Sequence, residues 1–274
     1  MTDTRRLIIN ADDFGRLHAI NVAVIRAHRE GVLTSASLMV NEPYCSEAVA
    51  LAKEHPKLGI GLHLTVLGGL PALPVEKIPG LVSARGTFGD KPLAVGMKYF
   101  LRRGLRAQLR AEIHEQFARF RATGLPLDHV NGHLHLHLHP VVFRILMEDA
   151  ATLGIRNLRL TRDDFALSRR LARGRWLYRI SHALVFGWLG ARSQPELVRR
   201  GIRHADKVLG LLQDSRVDEE FILKLLPQLP TGTTELYSHP TQDGDQCELA
   251  ALVSPRVRSL ATNLGIELIR YQDL

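Results

Sequence analysis

The sequence has few cysteines and few aromatic residues. Its two cysteines, Cys45 and Cys247, lie far apart, and neither belongs to a CxxC pair. This pattern excludes a disulfide framework and a zinc knuckle, and it favours a reducing, cytoplasmic setting. Aromatic residues make up 6% of the 274 residues, and no nucleic-acid-binding motif is recognisable. We therefore expect no nucleic-acid partner.

Long apolar runs are also missing. The first apolar run, residues 7–9, is far shorter than the core of a signal peptide, and no later run has the length of a membrane span. The net charge is +8, and much of the excess is arginine between Arg102 and Arg203. Charge alone leaves nucleic acid, anionic lipid and an acidic substrate open as partners. We expect a cytoplasmic protein, at most attached to the inner face of a membrane.

Strand-like and helix-like segments alternate along the chain. Apolar runs of strand length lie at 7–11, 32–40, 58–66, 127–135, 157–161, 207–212, 233–238 and 266–271. This alternation predicts parallel strands joined by right-handed crossovers, in one domain over 1–274. About six to eight such units predict an α/β fold in the form of a closed or nearly closed barrel. Residues 67–92 predict a long loop or lid, and 165–203 predict a mostly helical insertion.

Chemically active side chains follow several of the predicted strands. Asp12 and Asp13 end the first strand, His63 lies near the end of the third, and His239 follows a late strand. In an α/β barrel the carboxyl ends of the strands form the active edge, so these groups should converge. Each of these residues also has a structural interpretation. Adjacent aspartates often cap the following helix, and a histidine among apolar residues is often part of the core. At a strand end the two aspartates should point in opposite directions, one to a metal and one to act as a base.

A run of alternating histidines gives the strongest signal. His133, His135, His137 and His139 alternate with leucines. In an extended strand all four imidazoles would lie on one face, where burial without partners is costly and a metal would bind one or two of them. A surface histidine tract is the alternative, and the spacing does not identify the ligand.

Two imidazoles and one carboxylate form an incomplete coordination sphere. Open positions for water and substrate are typical of a catalytic metal site, where the cation activates water and polarises a carbonyl. His239, which arrives from the far side of the barrel, either begins a helix or protonates a leaving amine. Glu235 and Asp206 are expected to support the site.

Four motifs together resemble those of the YdjC-like carbohydrate deacetylases. They are NADDFG at 10–15, GLH at 61–63, NGHLHLH at 131–137 and YSHP at 237–240, and they cover nearly the whole chain in order. The resemblance implies a distorted β/α, TIM-like barrel related to the polysaccharide deacetylases. It also implies hydrolytic removal of acetyl groups from N-acetylated sugars. Other barrel metallohydrolases usually carry an HxH pair on the first strand, where this chain has aspartates.

The resemblance also assigns roles by position. It implies one divalent cation, Mg²⁺ or Zn²⁺, held by Asp13, His63 and His133. It implies Asp12 as general base and His239 as general acid. We further expect substrate contacts from His135, His137 and Asn41. The family often has an adjacent histidine pair after the first ligand of this motif, and Leu134 interrupts it here.

Three longer segments resemble the branch associated with hopanoid biosynthesis. They are VLTSASLMVNEP at 32–43, FRATGLPLDHVNGH at 120–133 and LPTGTTELYSHP at 229–240. This implies an N-acetylglucosaminyl hopanoid as the substrate, which loses acetate to give a free amine. Soluble chitooligosaccharides as substrate, or a non-catalytic metal-binding or lipid-binding protein, are the alternatives.

The predicted insertion contains apolar residues at helical spacing. They are Trp176, Leu177, Ile180, Leu184, Val185 and Trp188, among Arg173, Arg175, Arg179 and Arg192. A basic amphipathic helix can rest on an anionic membrane and admit a lipid-linked substrate. An ordinary core helix fits the pattern equally well, and the oligomeric state stays open, a homodimer being one option.

Overall fold

A curved sheet of parallel strands forms the centre of the computed structural model, which describes residues 4–171, 174–213 and 216–274. The strands are β1 Arg5–Phe14, β2 Ser35–Leu38, β3 Gly59–Leu64, β4 Val130–Gly132, β5 Lys207–Leu209, β6 Gly232–Ser238 and β7 Glu267–Leu268. Their order is β4-β3-β2-β1-β6-β5, and β7 pairs with the start of β1. Every strand pairing in the described residues is parallel, as the alternating pattern predicts.

Helices cover the sheet. They are α1 His18–Glu30, α2 Cys45–Glu54, α3 Pro92–Leu101, α4 Arg106–Ala122, α5 Pro140–Glu148, α6 Ala150–Leu153, α7 Phe165–Leu171, α8 Trp176–Arg199, α9 Glu219–Leu225, α10 Cys247–Val253 and α11 Pro255–Asn263. The central strand β1 is buried on both of its faces, since the consecutive residues Leu7, Ile8 and Ile9 are all at most 1% exposed.

The segment predicted as a fifth strand closes a gap in the barrel without forming a regular strand. Leu158 makes a single bridge to Val130 of β4, and Asn157 makes one to Arg203. Further along, the carbonyl of Arg162 accepts a hydrogen bond from Val208 of β5 at 3.2 Å. The predicted strand at 157–161 is therefore wrong as a regular element. The predicted TIM-like, nearly closed α/β barrel is confirmed.

Residues 67–92 form the predicted loop, and it is fastened to the body of the protein. Ile78, Leu81 and Phe88 are at most 3% exposed. The carboxylate of Glu112 in α4 accepts hydrogen bonds from the loop amides of residues 72 and 73 at 2.7 and 2.9 Å. The two hydrogen bonds from Glu112 anchor the first part of the loop, which follows β3 in the chain.

The insertion is helical, as predicted, and consists of α7 and α8. Arg173 lies outside the described residues. In the first half of α8, Arg179 is buried at 5% exposure, whereas all six of the apolar residues at helical spacing are exposed. A helix that packs in the core buries its apolar side chains and exposes its charged ones, whereas this part of α8 does the opposite. The alternative of an ordinary core helix is therefore wrong for this part of α8.

Candidate metal and catalytic site

The end of β1 carries two carboxylates that reach the same imidazole. Asp13 Oδ1 lies 3.3 Å from His63 Nε2, and Asp12 Oδ1 lies 3.9 Å from His63 Nδ1. The expectation that the two side chains point in opposite directions is wrong. The register of β1 against β2 shifts between Ala11 and Phe14, and Asp13 has a φ of 63°, in the left-handed region. This irregularity interrupts the alternation of the strand.

Asp13, His63 and His133 offer three ligand atoms that all lie within 4.8 Å of one another. The closest pairs join Asp13 Oδ1 to His133 Nδ1 at 3.0 Å and to His63 Nε2 at 3.3 Å. Donors that sit about 2.1 Å from a common cation are separated by about 3.0–3.4 Å, so the group has the dimensions of one coordination sphere. The three residues that the resemblance names as ligands therefore do meet in space.

The surroundings of His63 also fit a metal ligand. Its Nδ1 donates a hydrogen bond to Asn131 Oδ1 at 2.7 Å, which directs the other ring nitrogen, Nε2, toward Asp13. Metal-binding histidines are commonly oriented through the second nitrogen in this way. An imidazole, a second imidazole and a carboxylate suit zinc and similar divalent ions.

The histidine run does not continue β4. The strand ends at Gly132, which pairs with Leu64 at the end of β3, so the ladder has no partner beyond that point. Residues His133–Leu138 form a 3-10 segment in which Leu134 and His135 have φ values of 49° and 57°. The prediction of four imidazoles on one strand face is wrong, because the chain turns immediately after the first of them.

The three expected substrate contacts lie in different places. His135 lines the cavity at 9% exposure and hydrogen-bonds to Tyr237 Oη at 2.9 Å. His137 is fully buried, and its Nε2 donates to the carbonyl of Arg159 at 2.9 Å. Burial lowers the pKa of His137 to about 3, so this imidazole is neutral. Asn41 donates to the carbonyl of Leu70 and thereby holds the 67–92 loop. Of the three, His135 is the one that faces the cavity.

Arg159 is the site residue that the sequence reading missed. Fully buried, it donates to Asp12 at 2.6 and 3.0 Å and to Glu235 at 2.7 and 2.9 Å. Burial alone would raise the pKa of Asp12, but the Arg159 guanidinium and the His63 imidazole together outweigh burial and hold that pKa well below its usual range. One signal was present in the sequence, since a lone arginine within an apolar run needs carboxylate partners once it is buried.

Glu235 supports the site as expected, through Arg159 and through Tyr271, whose hydroxyl donates to it. Asp206 does not. Its carboxylate accepts the backbone N–H of Thr233 at 2.8 Å, at the opposite end of β6 from the site. The expectation that Asp206 lies beside the site is therefore wrong.

A cavity of about 700 Å³ opens over these groups. Asp12, His63, His133, His135 and His239 line it, and His239 follows the end of β6. The remaining walls are mostly apolar and come from α3 and α8, with the residues Leu93, Met97, Phe100, Val185, Phe186 and Trp188. A concave, apolar pocket with a few convergent polar groups is the usual form of a small-molecule site.

Fold and site together define a TIM-like α/β barrel with a candidate metal centre that opens into a cavity. The profile of the family described as YdjC-like protein matches residues 6–263, and the chain belongs to that family.

Named relatives span the full chain. It is 37% identical to a carbohydrate deacetylase of Geobacillus stearothermophilus and 31% identical to a chitooligosaccharide deacetylase of Serratia marcescens, over 98% of both chains in each comparison. A crystal structure from Enterococcus faecalis V583, named for cellobiose-phosphate cleavage, superposes with a TM-score of 0.76 at 25% identity and 98% coverage of each chain.

Proposed function

We propose that this chain, as a single domain over 1–274, is a carbohydrate N-deacetylase that acts on an N-acetylglucosamine unit. The observation that carries the proposal is the meeting of Asp13, His63 and His133 next to a cavity that Asp12 and His239 also line. The names of the relatives, carbohydrate deacetylase and chitooligosaccharide deacetylase, support the same reaction class.

One divalent cation, Zn²⁺ or Mg²⁺, would be held by Asp13, His63 and His133. Such a cation lowers the pKa of water and polarises a carbonyl oxygen. The chain itself contributes the orientation of these ligands. Asn131 fixes the ring of His63, and Arg16 donates to Asp13 Oδ2 at 2.8 Å, on the oxygen that faces away from the imidazoles.

Asp12 is the proposed base. As the oxygen of water bonds to the acetamide carbon, Asp12 accepts the proton that this water loses. Arg159 keeps the carboxylate ionised, and side-chain amides of Asn10 and Asn131 each donate to its Oδ1 at 2.9 Å. The two hydrogen bonds from Arg159 and the one from each asparagine also fix the orientation of the carboxylate in the floor of the cavity.

His239 is the proposed acid. Its backbone N–H is bound by the carboxylate of Glu248 at 2.5 Å, and its ring lies edge-on to Tyr237 with 5.8 Å between centroids. When the C–N bond breaks, His239 donates a proton to the departing amine nitrogen. The products are acetate and an amino sugar.

The proposed substrate is an N-acetylglucosaminyl hopanoid at the inner face of a membrane. The apolar walls of the cavity support a lipid aglycone, because a sugar chain alone would need more polar partners than these walls offer. A soluble chitooligosaccharide is the second candidate, favoured by the name of the Serratia marcescens relative.

Acetate release measures the reaction directly. We expect the purified protein to release acetate from N-acetylglucosaminyl hopanoid in detergent, to lose this activity with a chelator, and to regain it with Zn²⁺ or Mg²⁺. The matched substrate is N,N′-diacetylchitobiose. Faster turnover of the soluble sugar would reject the lipid aglycone, and no acetate from either substrate at any metal loading would reject the deacetylase.

A further inference from the structure

Two helices beside the cavity expose large apolar side chains. We call this group the apolar rim: it consists of Leu93, Met97, Phe100 and Leu101 of α3 and Trp176, Leu177, Ile180, Leu184, Val185 and Trp188 of α8. The exposed fraction is 80% for Leu93, 85% for Leu177 and 70% for Leu184. So many exposed apolar side chains on two helices beside one cavity are uncommon on water-facing proteins and mark an interaction surface.

The apolar rim is continuous with the candidate active site. Leu93, Met97 and Phe100 line the cavity from α3, and Val185 and Trp188 line it from α8. Whatever covers the rim therefore lies against the cavity entrance as well. A substrate that enters the cavity from the material that covers the rim does not have to pass through water.

The charged side chains of α3 and of the first part of α8 are all positive. No aspartate or glutamate occurs at 91–111 or at 165–195, the two stretches that contain α3 and the first part of α8. Exposed cations flank the rim at Arg102, Arg103, Arg175 and Arg192. The guanidinium of Arg192 lies 5.8 Å from the centre of the Trp188 ring. Tryptophan beside cations is typical of the boundary between acyl chains and headgroups.

We infer that the apolar rim docks onto an anionic lipid bilayer and places the cavity entrance at the headgroup level. The inference rests on the proposed function for its lipid-linked substrate, but it is carried by exposure and charge. A second copy of the chain is a poorer occupant, because a symmetric contact would bring cations of the two copies together. Among the helices of the described residues, none combines the length and the apolar composition of a membrane span.

Vesicle binding tests the docking surface with variants that spare the cavity. Leu101, Leu177 and Leu184 belong to the rim but do not line the cavity, so we choose the triple change Leu101→Ser, Leu177→Ser and Leu184→Ser. The control changes two exposed apolar residues outside the rim, Leu17→Ser and Val198→Ser. Each protein is sedimented with phosphatidylcholine vesicles, with and without phosphatidylglycerol, and folding is checked by circular dichroism.

We expect wild type and control to bind the vesicles that contain phosphatidylglycerol and to release them as salt is raised. The triple variant should bind at least about tenfold more weakly, because removal of three leucines takes away much of the inserted apolar area. The double change Arg102→Glu and Arg103→Glu should weaken binding to anionic vesicles more than to neutral ones. Deacetylation of N,N′-diacetylchitobiose should stay unchanged in the triple variant.

Two results would overturn the docking surface. One is equal vesicle binding by wild type and the triple variant. The other is a wild-type dimer without vesicle affinity that the triple change converts to monomer, which would make the rim an interface between copies. The two proposals can also fail separately. If wild type deacetylates neither N-acetylglucosaminyl hopanoid nor N,N′-diacetylchitobiose, but the triple change still weakens vesicle binding, the proposed function is wrong and the docking surface is supported.

Discussion

Asp12 and Asp13 are neighbours in sequence with different partners. Asp13 contacts two imidazoles, at 3.0 and 3.3 Å, whereas Asp12 is bound by the guanidinium of Arg159. Burial would raise the pKa of Asp13, but hydrogen bonds from His133 and His63 outweigh it and hold the pKa well below its usual range. Both carboxylates are therefore ionised, Asp13 as one of the candidate metal ligands and Asp12 beside the guanidinium of Arg159.

The two aspartates should give different losses when changed. Asp13→Ala removes a candidate ligand, so bound metal and activity should both fall. Asp12→Asn keeps the shape of the side chain and leaves the three candidate ligands intact, so metal content should stay and kcat should fall about 100-fold or more. Metal per chain is measured by mass spectrometry beside acetate release. Near-normal kcat in Asp12→Asn would show that Asp12 is not the base.

We expect Tyr271 to position Asp12, to which it is linked through two buried residues. Its hydroxyl donates to Glu235, Glu235 binds Arg159, and Arg159 binds Asp12. Tyr271→Phe should lower kcat with little change in KM or metal content, because Arg159 is then drawn toward the carboxylate that has lost a donor. The loss of one buried hydrogen bond should also cost about 1–2 kcal/mol of unfolding free energy.

Tyr99→Phe is the matched control. Tyr99 is also fully buried, but its hydroxyl donates to the backbone carbonyl of Val66 at 2.7 Å. We expect a similar loss of stability and an unchanged kcat. Equal kcat losses in the two variants would indicate a general packing effect and would remove the positioning role of Tyr271.

At the scale of elements, the GLH motif in β3 depends on the close approach of a ring. A Cβ at position 61 would lie 2.4 Å from Cε1 of His129, whose ring stacks on Tyr271 with 4.5 Å between centroids. Gly61→Ala should therefore displace His129 and cost about 1–3 kcal/mol in urea unfolding. The second arm is Gly187→Ala in α8, where no atom lies within 4 Å of the added Cβ.

Alanine at position 187 should leave stability unchanged or raise it by up to about 1 kcal/mol, because glycine is a poor helix former. If Gly61→Ala were as stable as wild type, the packing of His129 over β3 would be wrong. The comparison separates a steric cost in the sheet from the general effect of replacing glycine.

Hydrophobic periodicity predicted regular helices and strands well, but it did not predict the places where a regular segment is interrupted. Apolar residues at helical spacing and the glycine at position 31 predict a helix over 18–30, and α1 has these bounds because both signals are local. The segment 247–264 predicts one helix, but the structure has two, divided at Ser254 and Pro255, where the serine side chain caps α11. The turn at Leu134 and His135 left no signal in a strictly alternating sequence. It follows from the end of the β3 ladder, which is a tertiary property.

At the scale of the whole molecule, the sequence predicted that the three candidate ligands meet. It did not predict the buried groups around them, such as Arg159. Ligands at the ends of parallel strands converge because barrel topology brings those ends together. Arg159 and Asp12 are 147 positions apart, and their pairing depends on a segment that makes only single bridges to its neighbours. The roles assigned to Asp12 and His239 remain predictions.

The same gap-closing region contains a carboxyl group that opposes folding at neutral pH. Asp163 Oδ2 accepts the backbone N–H of Leu212 at 3.0 Å, next to β5, and burial raises the pKa of Asp163 to about 6. The folded state therefore binds this proton more tightly than the unfolded state. The contribution of Asp163 to stability falls as pH rises from about 4 to about 6, and the loss, of order 3 kcal/mol, is complete above that range.

Asp163→Asn should remove this dependence. In urea unfolding between pH 4 and 8, the stability of wild type minus that of Asp163→Asn should decrease up to about pH 6 and then level off. Any hydrogen bond that the asparagine amide fails to make shifts this stability difference by a constant amount and does not change its dependence on pH. The control is Asp164→Asn: burial there is outweighed by the Lys207 ammonium, which lowers the pKa of Asp164, so its difference profile should be flat or rise over the same range. A flat difference profile for Asp163→Asn would mean that its carboxyl is solvated and that the segment closing the barrel is more open than the structure shows.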